Sequence, residues 1–216
     1  MKNIINAQRK DKEQVVAVLY HAFVHDPHIH WLVGEGRGKR QRMKRLMSYA
    51  FEHCLVNGSV QLTEDRKAVA LWKDHRSRSM SVRLMLENIK FLLDFGFRRV
   101  ARIARMEKEV SKRYPKELPF RYLWFIGTQP GEQGKGYGSA LLQPALAHAR
   151  EEQQEVYLET TTEANLSYYR KKGFVLYDTV EMNDAHPLTI FLLKREATHV
   201  DVHESSYGHT LLTSGS

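Results

Sequence analysis

Apolar residues along the chain recur with two periods, and the switches between them mark out the elements. Asn3 to Ala7 reads as a short strand. Val15, Val18, Leu19, Ala22 and Phe23 then recur at i, i+3, i+4, i+7 and i+8, one apolar face of a helix. That helix should end near His25-Asp26-Pro27, because a proline disfavours helix in the residue before it. A basic helix is predicted over 39–56, with Met43, Leu46, Met47, Ala50, Phe51 and Cys54 inward. Asn57-Gly58, residues that tolerate positive φ, should close it. Ser59 to Thr63 and Ala68 to Trp72 read as a strand pair about a Glu64-Asp65-Arg66-Lys67 turn.

The stretch 76–113 is long, helical in pattern and dense in arginine, and Gly96 should break it in two. After Pro115 and Pro119, the run from Arg121 to Gly127 is aromatic and β-branched, as a strand requires. A glycine-rich turn at 131–138 and a helix over about 136–152 follow. Next come a strand at 156–161, a helix over 164–172 ending at Gly173, and a hairpin of 174–182 with 188–194 around Asn183-Asp184. Residues 197–216 are polar, hold three histidines and show no period, which predicts a mobile tail. The order predicts a mixed α/β fold on one sheet, without internal repeats. One domain over 1–196, carrying a helical insertion at about 76–115, is the expected organisation.

Composition narrows the possible partners. The 216 residues hold 33 Lys+Arg against 25 Asp+Glu, a net charge of +8. That sign suits nucleic acid, an acidic membrane surface, an anionic cofactor, or merely a solvated basic surface. The single cysteine, Cys54, excludes an intramolecular disulfide and any zinc-type cysteine spacing. With no signal-like or membrane-spanning apolar run, a soluble protein of the reducing cytoplasm is expected.

The sharpest local feature is Thr128-Gln129-Pro130-Gly131-Glu132-Gln133-Gly134-Lys135-Gly136-Tyr137-Gly138-Ser139, between a predicted strand and a predicted helix. Glycines let backbone N–H groups converge there, and the helix start adds its positive dipole end, a combination suited to phosphate. A Walker loop is excluded because Gly134-Lys135 is followed by Gly136, and G-x-G-x-G spacing is wrong for a dinucleotide fingerprint. A ligand-free tight turn is the plain alternative.

Gln133 through Gly138 resembles the Q/R-x-x-G-x-G/A acyl-CoA loop of the GNAT superfamily of N-acetyltransferases. Asn165 through Phe174 resembles that superfamily's following helix, with a tyrosine before Gly-Phe. The resemblance runs over about residues 2–195. Ala22-Phe23 leading to Asp26-Pro27, Val69-Ala70-Leu71-Trp72, Gly138-Ser139-Ala140-Leu141-Leu142 with Pro144, and Tyr157-Leu158-Glu159-Thr160 look most like the puromycin N-acetyltransferase subgroup.

The resemblance implies a mostly antiparallel twisted sheet, splayed between its fourth and fifth strands, with helices on both faces. It also implies acetyl-CoA as cosubstrate and a small-molecule primary amine as acceptor, with no metal. Pantetheine should run along Ile126, Gly127 and Thr128, and pyrophosphate should sit on the N–H groups of Gln133, Gly134, Lys135, Gly136, Tyr137, Gly138 and Ser139. Asn165 is a further CoA contact. A backbone N–H near Gly127 or Thr128 should serve the carbonyl oxygen. Tyr169 is the implied general acid, with Tyr168 packing on another face, and Glu159 is the implied base or ammonium contact. A non-catalytic acyl-CoA-binding module and a protein or peptide acetyltransferase remain alternatives, and a monomer or homodimer without nucleic-acid or membrane partners is expected. His25, Asp26, His28 and His30 form a second source of base, with surface histidines preferred over a metal site. The arginine-rich insertion should wall the acceptor site or simply solvate its own outer face.

Overall fold

A computed structural model describes residues 2–183 and 187–197. The predicted tail beyond 197 and the hairpin residue Asp184 lie outside the described residues. In chain order the elements are β1 (Ile4–Asn6), α1 (Lys12–Phe23), α2 (Pro27–Val33), α3 (Lys39–Asn57), β2 (Gly58–Thr63), β3 (Ala68–Asp74), α4 (Val82–Phe95), α5 (Phe97–Ser111), β4 (Phe120–Thr128), α6 (Tyr137–Glu151), β5 (Glu155–Thr160), α7 (Glu163–Arg170), β6 (Val175–Met182) and β7 (Leu188–Arg195).

The strands form one seven-stranded sheet in the order β1-β2-β3-β4-β5-β7-β6. Every neighbouring pair is antiparallel except β4 with β5. Their parallel pairing runs from Phe120↔Glu155 to Leu123↔Leu158 and stops, while β4 continues against β3 to Thr128. The sheet therefore opens between its fourth and fifth strands, as the resemblance implied.

Alternation along the strands feeds two cores. On one face Val69, Leu71, Ile190 and Leu192 pack with Val15, Leu19, Met47 and Phe51 from α1 and α3. On the other Ala70, Trp72, Leu158 and Leu193 pack with Leu141, Leu142 and Ala145 of α6 and with Phe174.

Three local expectations are corrected. Pro27 does more than end α1: it stands at the first turn of α2, whose start Asp26 caps by accepting the Ile29 N–H at 3.0 Å. Asn57 is the last helical residue of α3, and Gly58 (φ 171) is extended rather than left-handed. Glycine is needed at 58 because a Cβ would lie 2.0 Å from the Trp72 carbonyl oxygen. Residues 76–81 are not helical. The Asn57 amide donates to the Ser79 carbonyl (3.0 Å) and accepts from Ser77 Oγ (2.9 Å) and the Ser79 N–H (2.6 Å), which holds them as a loop. Ser81 then caps α4, and Gly96 (φ 72) divides α4 from α5 as predicted.

Candidate active site

A cavity of about 800 Å³ occupies the opening in the sheet. Leu158, Asn165 and Tyr169 line it from the side of α6 and α7, whereas Tyr49, Phe91, Ile103 and Val110 line it from the other side. Its volume lies in the range of small-molecule sites, roughly 300–1,000 Å³.

Glu159 reaches this space because β5 alternates: Leu158 packs beneath α6, so its neighbour turns to the opposite face. Its Oε1 accepts from the hydroxyls of Tyr114 (2.6 Å) and Tyr122 (2.9 Å). Burial first, and then the Glu159 charge, push both tyrosines well above the ordinary phenol range, so they remain donors. Glu107 of α5 also lines the cavity, and desolvation holds its carboxyl above the usual range against the pull of Lys73. Lys73 sits 3.3 Å from the centroid of the Trp124 ring, its ammonium disfavoured by burial. His28 Nε2 is buried and, among the described residues, without a hydrogen-bond partner; desolvation lowers its pKa against the charges of Glu159 and Asp26. The wall thus holds the carboxylates of Asp26, Asp74, Glu107 and Glu159 against the basic Lys73 and Arg78.

The insertion walls the cavity with its apolar side, through Phe91, Val100, Ile103 and Val110. Several of its arginines are engaged elsewhere. Arg99 donates to the Phe95 carbonyl, Arg102 to the Trp31 carbonyl, and Arg113 pairs with Asp178 at 3.0 Å. Both alternatives for this segment hold in part: it is a wall inside and a basic surface outside.

At the other end of the opening, Gly131, Gly134 and Gly136 take positive φ (80, 76 and 81°), where a side chain would be strained. The first N–H of α6 to meet a backbone carbonyl is that of Ala140, on Gly136. Among the described residues, none of the N–H groups from Gln133 to Ser139 has a hydrogen-bond partner, the condition of an anion cradle. The side chains there are otherwise occupied. Tyr137 donates to Asp65 beneath the Lys2 ammonium, and Lys135 pairs with Glu132 at 3.1 Å. A Cβ on Gly138 would come 2.7 Å from the Tyr168 hydroxyl, so Tyr168 leans over the cradle while Tyr169 lines the cavity. Gly127 is crowded by α1, with Ala22 only 2.9 Å from where its Cβ would be. Ile126 lines the cavity beside Thr160, and Asn165 Nδ2 donates to Thr160 Oγ1 at 3.1 Å.

The histidine cluster disperses: His30 Nε2 contacts the Val24 carbonyl at 2.7 Å, while His28 turns to the cavity. Among the described residues no group of three or more His, Cys, Asp or Glu is placed to hold a metal ion. Sequence reasoning missed Tyr114, Tyr122, Glu107 and Lys73. Strand alternation puts Tyr122 and Trp124 on one face of β4, but only the β4–β5 register shows that this face meets Glu159.

A sheet parted beside a helix start whose N–H groups lack backbone partners is the arrangement that the acyl-CoA acetyltransferase resemblance implied. Residues 109–174 match the model of the acetyltransferase (GNAT) family, and the chain as a whole is similar to N-acetyltransferases. It is 26% identical over 213 residues to a Schizosaccharomyces pombe protein named as an uncharacterized N-acetyltransferase, with 88% of this chain and 82% of that one covered. In fold it is similar to a Corynebacterium glutamicum structure described as histone acetyltransferase HPA2 and related acetyltransferase: TM-score 0.68, 22% identity, 94% of this chain and 100% of that one. It is also similar in fold to arylalkylamine N-acetyltransferase 2 of Aedes aegypti, with TM-score 0.61, 12% identity and coverage of 91% and 99%.

Proposed function

We propose that the protein transfers the acetyl group of acetyl-CoA to a primary amine of a small molecule, the amine attacking directly while both substrates are bound. The observation that carries this reading is Glu159. Two tyrosines occupy its Oε1, and among the described residues nothing bonds Oε2, in a cavity whose wall sets Asp26, Asp74, Glu107 and Glu159 against Lys73 and Arg78. An acidic wall suits an ammonium despite the basic protein around it. The puromycin N-acetyltransferase-like stretches and the likeness in fold to an arylalkylamine acetyltransferase support a small acceptor.

In this reading the N–H groups of Gln133 to Ser139 receive the pyrophosphate, Ile126, Gly127 and Thr128 follow the pantetheine, and Asn165 adds a contact. Glu159 takes a proton from the acceptor ammonium. The freed nitrogen lone pair forms the C–N bond as the C–S bond breaks, and a backbone N–H at Gly127 or Thr128 donates to the carbonyl oxygen. Tyr169 gives the departing thiolate its proton and is restored by the second proton that the nitrogen sheds as it becomes an amide; burial raises the pKa of this phenol, so the proton is present when needed. Release of free thiol from acetyl-CoA, screened against small amines and peptides, tests the proposal. Turnover with small amines supports it. Turnover with peptides alone would move the acceptor to protein, and binding of acetyl-CoA without any turnover would leave a binding module.

A further inference from the structure

Helix α4 is apolar on two opposite sides, and among the described residues only one of them is packed against the body. Leu84, Glu87 and Phe95 are buried toward the body of the protein. On the other side Val82, Met85, Leu86, Ile89, Leu93 and Phe97 form an exposed stripe continuing into α5, with Leu93 77% and Phe97 82% accessible. The spacing i, i+3, i+4, i+7 makes one continuous apolar face. A scattered surface leucine needs no explanation, whereas a contiguous row marks an interaction surface.

The charges around the stripe select what it meets. Arg76, Arg83 and Arg98 are exposed before it, on its flank and beside its end. The two acids of α4 are turned away: Glu87 binds Lys12 and Arg45, and Asp94 binds Arg45 at 2.5 Å. A second copy of this chain would set arginines against arginines. No described helix is long and apolar enough to cross a membrane, but an apolar face with a basic flank calls only for lying on one. We infer that the α4–α5 hairpin is a peripheral docking surface for an anionic lipid bilayer, with the stripe from Val82 to Phe97 set into the headgroup boundary and the flanking arginines on lipid phosphates. The inner side of the same helix, through Asn88 and Phe91, lines the acceptor cavity, so docking would place the roof of that cavity at the bilayer.

Flotation of the whole chain with phosphatidylcholine vesicles, with and without phosphatidylserine, tests this. Binding to the phosphatidylserine vesicles alone, weakening with added salt, is expected. Leu93→Ser with Phe97→Ser should weaken that binding about tenfold or more, from the apolar area lost. Arg83→Gln and Arg98→Gln should each cost about fivefold. None of these side chains lines the cavity, so thiol release in solution should be unchanged and reports separately on the enzymatic reading. Absence of vesicle binding, or equal binding by the Ser variants, would overturn the inference. So would a concentration-dependent dimer in light scattering that the Ser variants abolish, since the stripe would then belong to a second copy.

Discussion

Glu87 is the anchor of the cavity roof, and its removal should show how firmly the insertion is held. The carboxyl group is buried between α3 and α4. Oε1 accepts from Lys12 Nζ (3.2 Å) and Lys90 Nζ (3.5 Å), and Oε2 from Arg45 Nη1 (3.3 Å) and Ser48 Oγ (3.2 Å). Breaking a buried pair costs about 3–5 kcal/mol, because the surviving partner stays desolvated. Here Lys12 keeps Glu52 at 3.1 Å and Arg45 keeps Asp94, so the lower end applies. Glu87→Ala should therefore cost about 3 kcal/mol in urea unfolding, or about 10 °C in Tm for a chain of this size. Glu87→Gln keeps an acceptor for only one pair of these donors and sets an NH2 against the other, so it should cost nearly as much. Burial alone would raise this carboxyl, but Lys12, Lys90 and Arg45 outweigh it and its pKa is lowered. A carboxylate with a depressed native pKa contributes stability above its unfolded value and loses it as pH falls through the native one. The gap between wild type and Glu87→Gln should hold at neutral pH and close below the ordinary glutamate value of 4.5. A loss under about 1 kcal/mol for Glu87→Ala, flat with pH, would mean the network behaves as exposed ion pairs do and does not anchor the roof.

Tyr169→Phe should lower turnover tenfold or more while the acetyl-CoA dissociation constant, read by calorimetry, stays near wild type, since only the hydroxyl of a cavity-lining residue is lost. Gly136→Val, at a φ of +81° with open space around its Cβ, should strain the cradle and weaken acetyl-CoA binding itself; an unchanged constant would put the pyrophosphate elsewhere. His53, its Nδ1 buried and, among the described residues, without a hydrogen-bond partner, has its pKa lowered to about 4 by burial and then by Lys73. It stays neutral in the native state where the unfolded chain takes up a proton, so it costs stability as pH falls from 6.5 toward 4. Partial exposure holds that cost to about 1–2 kcal/mol. Urea unfolding at pH 7 and pH 5 should show His53→Phe losing less than wild type.

The fold was readable where one period runs long enough to be counted. The heptad-like faces of α1 and α3, the break at Gly96 and the glycine start of α6 all follow from spacing and backbone freedom. Reading failed where one residue type serves two purposes. Proline stops one helix and starts another, and at Pro27 it does both, the start being decided by the Asp26 cap. Glycine after Asn57 read as a left-handed helix end, yet the close approach of Trp72 on the next strand is what requires it. Such contacts are set by sheet pairing, which local sequence does not contain. The site divides in the same way. The run of unpartnered N–H groups from Gln133 to Ser139 is a local feature of one turn, whereas Tyr114 and Tyr122 meet Glu159 from 45 and 37 residues away.

The excess of positive charge illustrates why a sum over a sequence is a weak guide to a site. A net charge of +8 would repel an ammonium if it acted uniformly, but burial sorts the charges. Arg99, Arg102 and Arg113 are turned onto carbonyl oxygens or a distant aspartate, while Glu107 and Glu159 face the cavity, where the dielectric is lower and each charge counts for more. The fields therefore act over different ranges. The outer cations set the long-range potential that draws an anionic partner, either the phosphates of coenzyme A or a lipid surface, and they are screened within about 10 Å at moderate salt. The inner carboxylates act over a few ångströms on an amine already in place, where salt scarcely reaches. One chain can in this way be basic to whatever approaches it and acidic to the amine it receives.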